Sequence, residues 1–272
     1  MELKPLGNTG VMVPEIGLGT WNYNGGAEPL LKGIELGAYL IDTAEGYHTE
    51  DTVCQAIKGI RNRVFIATKV SGRHLRYDDV MRAAEGSLRL LGTDYIDLYQ
   101  IHWPNSSVPI KETMRAMENL VDTGHIKYIG VSNFSVRDMQ EAQAVMRKYP
   151  IVSNQVLYNL NNRGIEKELI PYCEKHGVTI IAYTPLDNGG LATGSRGRGM
   201  RVLRQIATEV HKTPAQVALN WCVSQPNVIA IPKSNSVART MENCGASGWR
   251  LSQAQIRLLD EAFHKMKDSF SH

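Results

Sequence analysis

Residues 95–104, YIDLYQIHWP, read as a β-strand covered on both faces that opens into a site at its carboxyl end. The run is rich in aliphatic and aromatic residues up to Ile101 and then turns polar at His102. Parallel strands, buried along their length and open at one end, have this appearance. Two upstream stretches repeat it. LIDTAEGY, residues 40–47, carries Asp42 and Tyr47 just past its apolar start, and VFIATKV, residues 64–70, carries Lys69 near its end. A carboxylate, a phenol, an ammonium and an imidazole gathered on one rim can protonate a carbonyl oxygen. That chemistry requires the three strands to share one barrel.

Outward from these stretches, strand and helix alternate. Strands are predicted near 16–19, 38–42, 64–69, 96–101, 127–131, 152–156, 178–183 and 228–231, with helices between them. The opening LKPLGNTGVMVP reads as a hairpin turned by Gly7, Asn8 and Gly10. Helix starts are marked by Ser135 with Asp138, by Thr213 with Pro214 and Gln216, and by Ser252 with Gln255. Ile256, Leu259, Phe263 and Met266 recur at helical spacing in the last helix. The Gly- and Arg-rich residues 187–200, DNGGLATGSRGRGM, read as a loop, either permanently solvated or mobile and able to fold over a bound anion through Arg196 or Arg198.

Eight strand–helix units without a linker predict one (β/α)8 TIM barrel domain over residues 1–272, with an N-terminal β-hairpin and extra helices. An open, doubly wound sheet is the alternative from pattern alone. It would more often carry G-x-G-x-x-G after its first strand, and this sequence has none.

Composition narrows the function. The chain has 272 residues, 43% of them hydrophobic, and a formal charge of +3 from scattered Lys and Arg. That dispersal argues against a nucleic-acid partner and leaves room for a local anion pocket. Cys54, Cys173, Cys222 and Cys244 lack C-x-x-C pairing, and a single Cys–His neighbour pair, Cys173 with His176, makes no ligand set, so buried thiols are expected and no metal. No apolar run approaches ~18 residues and the N-terminus carries no apolar leader, so a cytoplasmic, non-membrane protein is expected.

Singly, each rim residue has a plain structural reading. Asp42 suits a turn, Tyr47 a cover for the barrel mouth, Lys69 a solvated strand end, and His102 a satisfied core histidine. Jointly they lie at the end of the barrel where such enzymes keep their sites. A free phenol titrates near 10, a value that a lysine ammonium within a few ångströms would lower. Asp42 would hold that ammonium, and His102 would orient a carbonyl oxygen.

At this point the chain resembles the aldo-keto reductase superfamily over nearly its whole length. The resemblance is carried by GLGTW, IDTAEGY, ATKV, LGTDYIDLYQIHWP, YIGVSNF, NQVLYNL, IAYTPL and IPKSNSVARTMEN. It implies NADPH-dependent, reversible reduction of an aldehyde or ketone, with Tyr47 as general acid tuned by Lys69 and Asp42, and His102 polarising the carbonyl. Tyr183 would lie under the nicotinamide of NADP(H), whose carboxamide Ser132, Asn133 and Gln155 would bind. Gly19, Thr20, Thr184, Pro185, Leu186 and Pro232 would line the cofactor. Lys233, Ser234, Asn235 and Arg239 would take its 2′-phosphate end, and Glu242 and Asn243 its adenine. Trp21 and Trp103 match substrate-pocket positions, with core packing as the plainer alternative. The long C-terminal tail of many relatives is not expected, and the loop at 187–200 has no evident counterpart. A monomer acting on a small carbonyl is expected. The alternatives are a cofactor-binding regulatory or redox-sensing subunit with little turnover, and a Schiff-base lyase using Lys69. Asp42 disfavours the latter, because a paired ammonium is a poor nucleophile.

Overall fold

The computed structural model of the chain describes residues 1–194 and 196–263. Met266 of the last predicted helix lies outside the described residues. Strands β1 (Leu3–Pro5) and β2 (Met12–Pro14) form the expected antiparallel hairpin, with Leu3 opposite Pro14. Eight more follow: β3 (Leu18–Gly19), β4 (Leu40–Asp42), β5 (Phe65–Val70), β6 (Ile96–Ile101), β7 (Ile126–Ser132), β8 (Ile151–Leu157), β9 (Thr179–Tyr183) and β10 (Val228–Ala230). They pair in chain order, every neighbour parallel. The last meets the first through parallel bridges from Ile16 to Ala230 and from Gly19 to Lys233. Gly17 N donates to Ala230 O at 2.8 Å, and Ala230 N to Glu15 O at 2.8 Å. This contact closes the curled sheet toward a barrel and rules out the open alternative.

Helices cover the outside: α1 (Glu28–Glu35), α2 (Glu50–Ile57), α3 (Tyr77–Leu91), α4 (Ile110–Asp122), α5 (Val136–Val145), α6 (Leu169–His176), α7 (Gly190–Thr193), α8 (Arg198–Glu209), α9 (Pro214–Cys222), α10 (Val237–Cys244) and α11 (Gln253–Phe263). All residues of β5 and β6 are buried, as strands packed between an inner core and a helical shell must be. Ser135 with Asp138 and Thr213 with Gln216 form complete capping boxes, each satisfying two backbone donors that a helix start leaves unpaired. Ser252 N donates to Gln255 Oε1 at 3.0 Å and Gln255 N returns to Ser252 Oγ at 3.2 Å, the same device ahead of α11.

The hairpin plugs the barrel floor. Leu6 and Val13 join Leu40, Phe65, Leu98, Ile181 and Ile229 in one inner cluster. Lys4 Nζ ties the plug down by donating to Val223 O at 2.5 Å, Gln225 O at 2.6 Å and Val228 O at 2.8 Å. Gly7 is required in the turn: its φ is +53°, and a Cβ would stand 2.7 Å from Gly177 O. With the floor sealed, the barrel interior opens toward the opposite rim.

One expectation fails in part. Residues 187–200 are not loop throughout. They hold a 3-10 turn over Asp187–Gly189, the short α7, and the first residues of α8. Met200, Leu203, Ile206 and Ala207 bury one face of α8, so the helical periodicity begins inside the Gly- and Arg-rich stretch. Arg198 is the first residue of α8 and Arg196 is exposed. The cysteines are free, as expected; Cys173, Cys222 and Cys244 are buried and Cys54 half-buried.

Candidate active site

Asp42 ends β4, Lys69 lies one residue inside the end of β5, and His102 follows β6 directly. Tyr47 closes a 3-10 turn over Glu45–Tyr47 that leaves β4. Parallel register places Lys69 opposite Gln100, so both reach the barrel interior near its rim. Lys69 Nζ donates to Asp42 Oδ1 at 2.6 Å and to Thr43 O at 2.7 Å. Tyr47 Oη lies 3.3 Å from His102 Nε2, with the two rings edge to face. Lys69 Nζ stands 4.9 Å from the centre of the Tyr47 ring. The four sequence-predicted residues therefore meet.

Their electrostatics differ from the sequence-based expectation in one respect. The Tyr47 phenol is pushed above its ordinary value, first by burial, then by the Asp42 charge and by Tyr183. The lowering by Lys69 expected from sequence is not among the causes: burial is the largest, and the Asp42 charge adds to it. Burial also lowers Lys69, and Asp42 opposes that shift. His102 is lowered to about 4, first by burial and then by Lys69. At neutral pH the site thus holds a protonated phenol and an uncharged imidazole above a closed ion pair.

Ser132, Asn133, Gln155 and Tyr183 gather beside this centre as one network. Ser132 Oγ donates to Gln155 O at 2.8 Å, and Asn133 Nδ2 donates to Ser132 Oγ at 3.0 Å and His102 O at 3.1 Å. Tyr183 Oη donates to Asn133 Oδ1 at 3.0 Å, which fixes its half-buried ring at the rim. Gln155 departs from the simple expectation: its Nε2 donates to Asp42 Oδ2 at 2.6 Å, leaving Oε1 as the end open to a ligand. Asn133 and Thr184 take left-handed φ values of 62° and 52°. For the β-branched Thr184 this is strained, of the kind that clusters at ligand sites. Pro185 is buried and Leu186 half-buried directly after it. Thr20 Oγ1 donates to Asp42 O at 3.0 Å, and Gly19 pairs with Asp42 across β3 and β4.

Across the rim, Gly19, Pro232, Ser234 and Asn243 line a small cleft between β3 and α10. Asn24 N donates to Asn235 Oδ1 at 3.2 Å, joining the loop after β3 to the loop after β10. Ser236 caps α10 by accepting from Arg239 N at 3.4 Å. Lys233 and Arg239 are exposed and form no ion pair among the described residues, so two cations are uncommitted at one helix start. That donor set fits a phosphate monoester. Glu242 is half-buried and Asn243 buried behind them. A fixed ring, an amide cluster and a cationic helix start on one rim fit a phosphorylated nicotinamide dinucleotide from end to end.

Trp21 and Trp103 are 53% and 52% exposed, so core packing does not explain them. Trp103 stacks beside His102 with ring centroids 6.5 Å apart. One residue of the centre was missed from sequence. Gln100 Nε2 reaches Asp42 Oδ2 at 3.4 Å from inside the barrel. The signal was present, since Leu98, Gln100 and His102 alternate onto one strand face.

A (β/α)8 barrel with a phenol, an imidazole and a buried lysine–aspartate pair on its carboxyl rim defines a barrel oxidoreductase. The chain belongs to the aldo/keto reductase family, whose sequence profile matches residues 15–263. It is 38% identical over 263 residues to methylglyoxal reductase YeaE of Escherichia coli strain K12, covering 93% of this chain and 92% of that one. It is 38% identical over 259 residues to glyoxal reductase of Bacillus subtilis strain 168, covering 93% and 90%. A crystal structure of aldo-keto reductase from Klebsiella pneumoniae in complex with NADPH superposes with a TM-score of 0.89 at 37% identity, covering 97% of this chain and 96% of that one.

Proposed function

We propose that this protein reduces small aldehydes, 2-oxoaldehydes among them, to alcohols with NADPH, and that Tyr47 gives the proton. The observation that carries this reading is the 3.3 Å approach of Tyr47 Oη to His102 Nε2 above the buried Lys69–Asp42 pair. A carbonyl oxygen set beside both atoms, at the apex of a triangle with them, would accept from both. A nicotinamide held at this rim would supply the hydride for the carbonyl carbon. Tyr47, held fully protonated by burial, passes its proton to the oxygen as charge develops there, and Lys69 faces the phenolate left behind. His102, uncharged at neutral pH, orients the oxygen without competing as the acid.

Ser132, Asn133 and Gln155 hold the carboxamide, Tyr183 backs the ring, and Lys233 and Arg239 clamp the 2′-phosphate. Trp21 and Trp103 form open aromatic walls that leave room for a small carbonyl compound. The glyoxal and methylglyoxal reductases among the relatives support that substrate class. The reading extends to a cytoplasmic monomer without a nucleic-acid partner; free cysteines support the compartment and dispersed charge the lack of a nucleic-acid partner. The test is loss of NADPH absorbance with methylglyoxal, glyoxal and a panel of aldoses. Turnover of at least one 2-oxoaldehyde is expected, and no consumption with any carbonyl would overturn the reading.

A further inference from the structure

Two amide side chains converge on the Asp42 oxygen that Lys69 leaves open. Gln155 from β8 donates Nε2 to Oδ2 at 2.6 Å, and Gln100 from β6 approaches the same oxygen with Nε2 at 3.4 Å. A carboxylate only accepts, so each amide presents nitrogen and turns its oxygen away. For Gln100 that leaves Oε1 buried with no partner among the described residues, and the Ser153 hydroxyl is buried and unpartnered too. Both side chains pack over Gly130, where a Cβ would stand 2.4 Å from Ser153 Oγ and 2.9 Å from Gln100 Cγ. The missing Cβ makes the space in which the Gln100 amide sits. Burying an unmet acceptor is unfavourable, and Leu98 shows that an apolar side chain suits the same strand face.

Gln155 has two tasks on one rigid amide plane. Its nitrogen serves Asp42, and Oε1 makes no hydrogen bond among the described residues, so it is the end available to a carboxamide. A planar amide cannot optimise both ends independently, and a shift toward the ligand lengthens the bond to Asp42. The geometry points to Gln100 as the positioning residue that compensates. It closes on Asp42 Oδ2 as Gln155 adjusts to the bound nicotinamide, and so keeps Asp42 aimed at Lys69 in the loaded enzyme. This inference rests on the functional reading above, in which Gln155 contacts the carboxamide.

The test is a double-mutant cycle on NADP⁺ affinity, read by quenching of tryptophan fluorescence, with Gln100→Met, Gln155→Met and the double variant. Methionine matches glutamine in length and cannot donate. Gln100→Met is expected to weaken NADP⁺ about tenfold, the size of one hydrogen bond to a charged group, in the presence of Gln155. In the Gln155→Met background the same change should cost less than about twofold, because nothing is left to compensate. Its kcat for an aldehyde should fall while the aldehyde KM holds. The free variant should unfold no more readily than wild type, since a buried orphan is removed, whereas a merely structural role would lower stability. Should the methionine variant fail to fold, Gln100→Asn makes the same test by shortening the amide beyond reach. Wild-type protein that does not bind NADP⁺ would overturn the functional reading and this inference together. Wild-type binding with additive losses, or with unchanged affinity in Gln100→Met, would overturn this inference alone.

Discussion

Lys69 and Asp42 form an ion pair out of reach of solvent, with side chains 0% and 2% exposed and Nζ 2.6 Å from Oδ1. Neither charge can be rehydrated if its partner is lost, so the pair acts as one unit. At the nearby phenol, burial sets the direction of the Tyr47 shift and the Asp42 charge adds to it.

Removing one partner of such a pair strands the other. Lys69→Met is expected to destabilise the protein by about 3–5 kcal/mol. Adding Asp42→Asn, which removes the stranded charge, should recover part of that loss. Urea unfolding of the three proteins checks this, and a single variant as stable as wild type would contradict the buried pair.

The His102 imidazole gives a pH signature. Burial, and secondly Lys69, hold it at about 4 against an ordinary value near 6.5. Between those values the unfolded chain binds a proton that the folded protein refuses. Stability contributed by neutral His102 is therefore complete above about pH 6.5, falls as pH drops toward about 4, and changes no further below. His102→Gln lacks this slope. Thermal unfolding at about pH 7.5 and about pH 4.5 should show wild type losing more stability than the variant. Equal losses would contradict a neutral, half-buried imidazole.

Much of this arrangement was legible in sequence because parallel strands announce themselves by what they end in. Asp42, Lys69 and His102 each follow a buried run, and barrel topology alone brings such ends to one rim. Capping boxes at Ser135 and Thr213 were equally plain, since their partners lie three residues away. What sequence did not reveal was contact across the barrel. Gln155 and Asp42 are 113 residues apart, and no local period links them. The start of α8 was hidden for another reason. Gly197 and Gly199 flank Arg198 and favour a loop, while the buried Met200, Leu203 and Ile206 override them through tertiary packing.

Arg239 distinguishes the two nucleotides. It is exposed in the first turn of α10 and, with Lys233, is placed by our reading on the 2′-phosphate. Arg239→Ala should weaken NADPH about tenfold, the loss of one charged hydrogen bond, and leave NADH unchanged. Fluorescence titrations of both nucleotides decide the matter. Equal losses would place Arg239 elsewhere on the cofactor.

The central claim is that Tyr47 supplies the proton, and Tyr47→Phe tests it most directly. Phenylalanine keeps the ring that stands over Lys69 Nζ and removes only the hydroxyl that faces His102. The measurement is steady-state reduction of methylglyoxal by NADPH, alongside NADP⁺ binding by the same protein. Turnover should fall by about 10²–10⁴-fold, the usual worth of a positioned general acid, with NADP⁺ affinity held. Turnover at the wild-type rate by a variant that binds NADP⁺ normally would contradict the account.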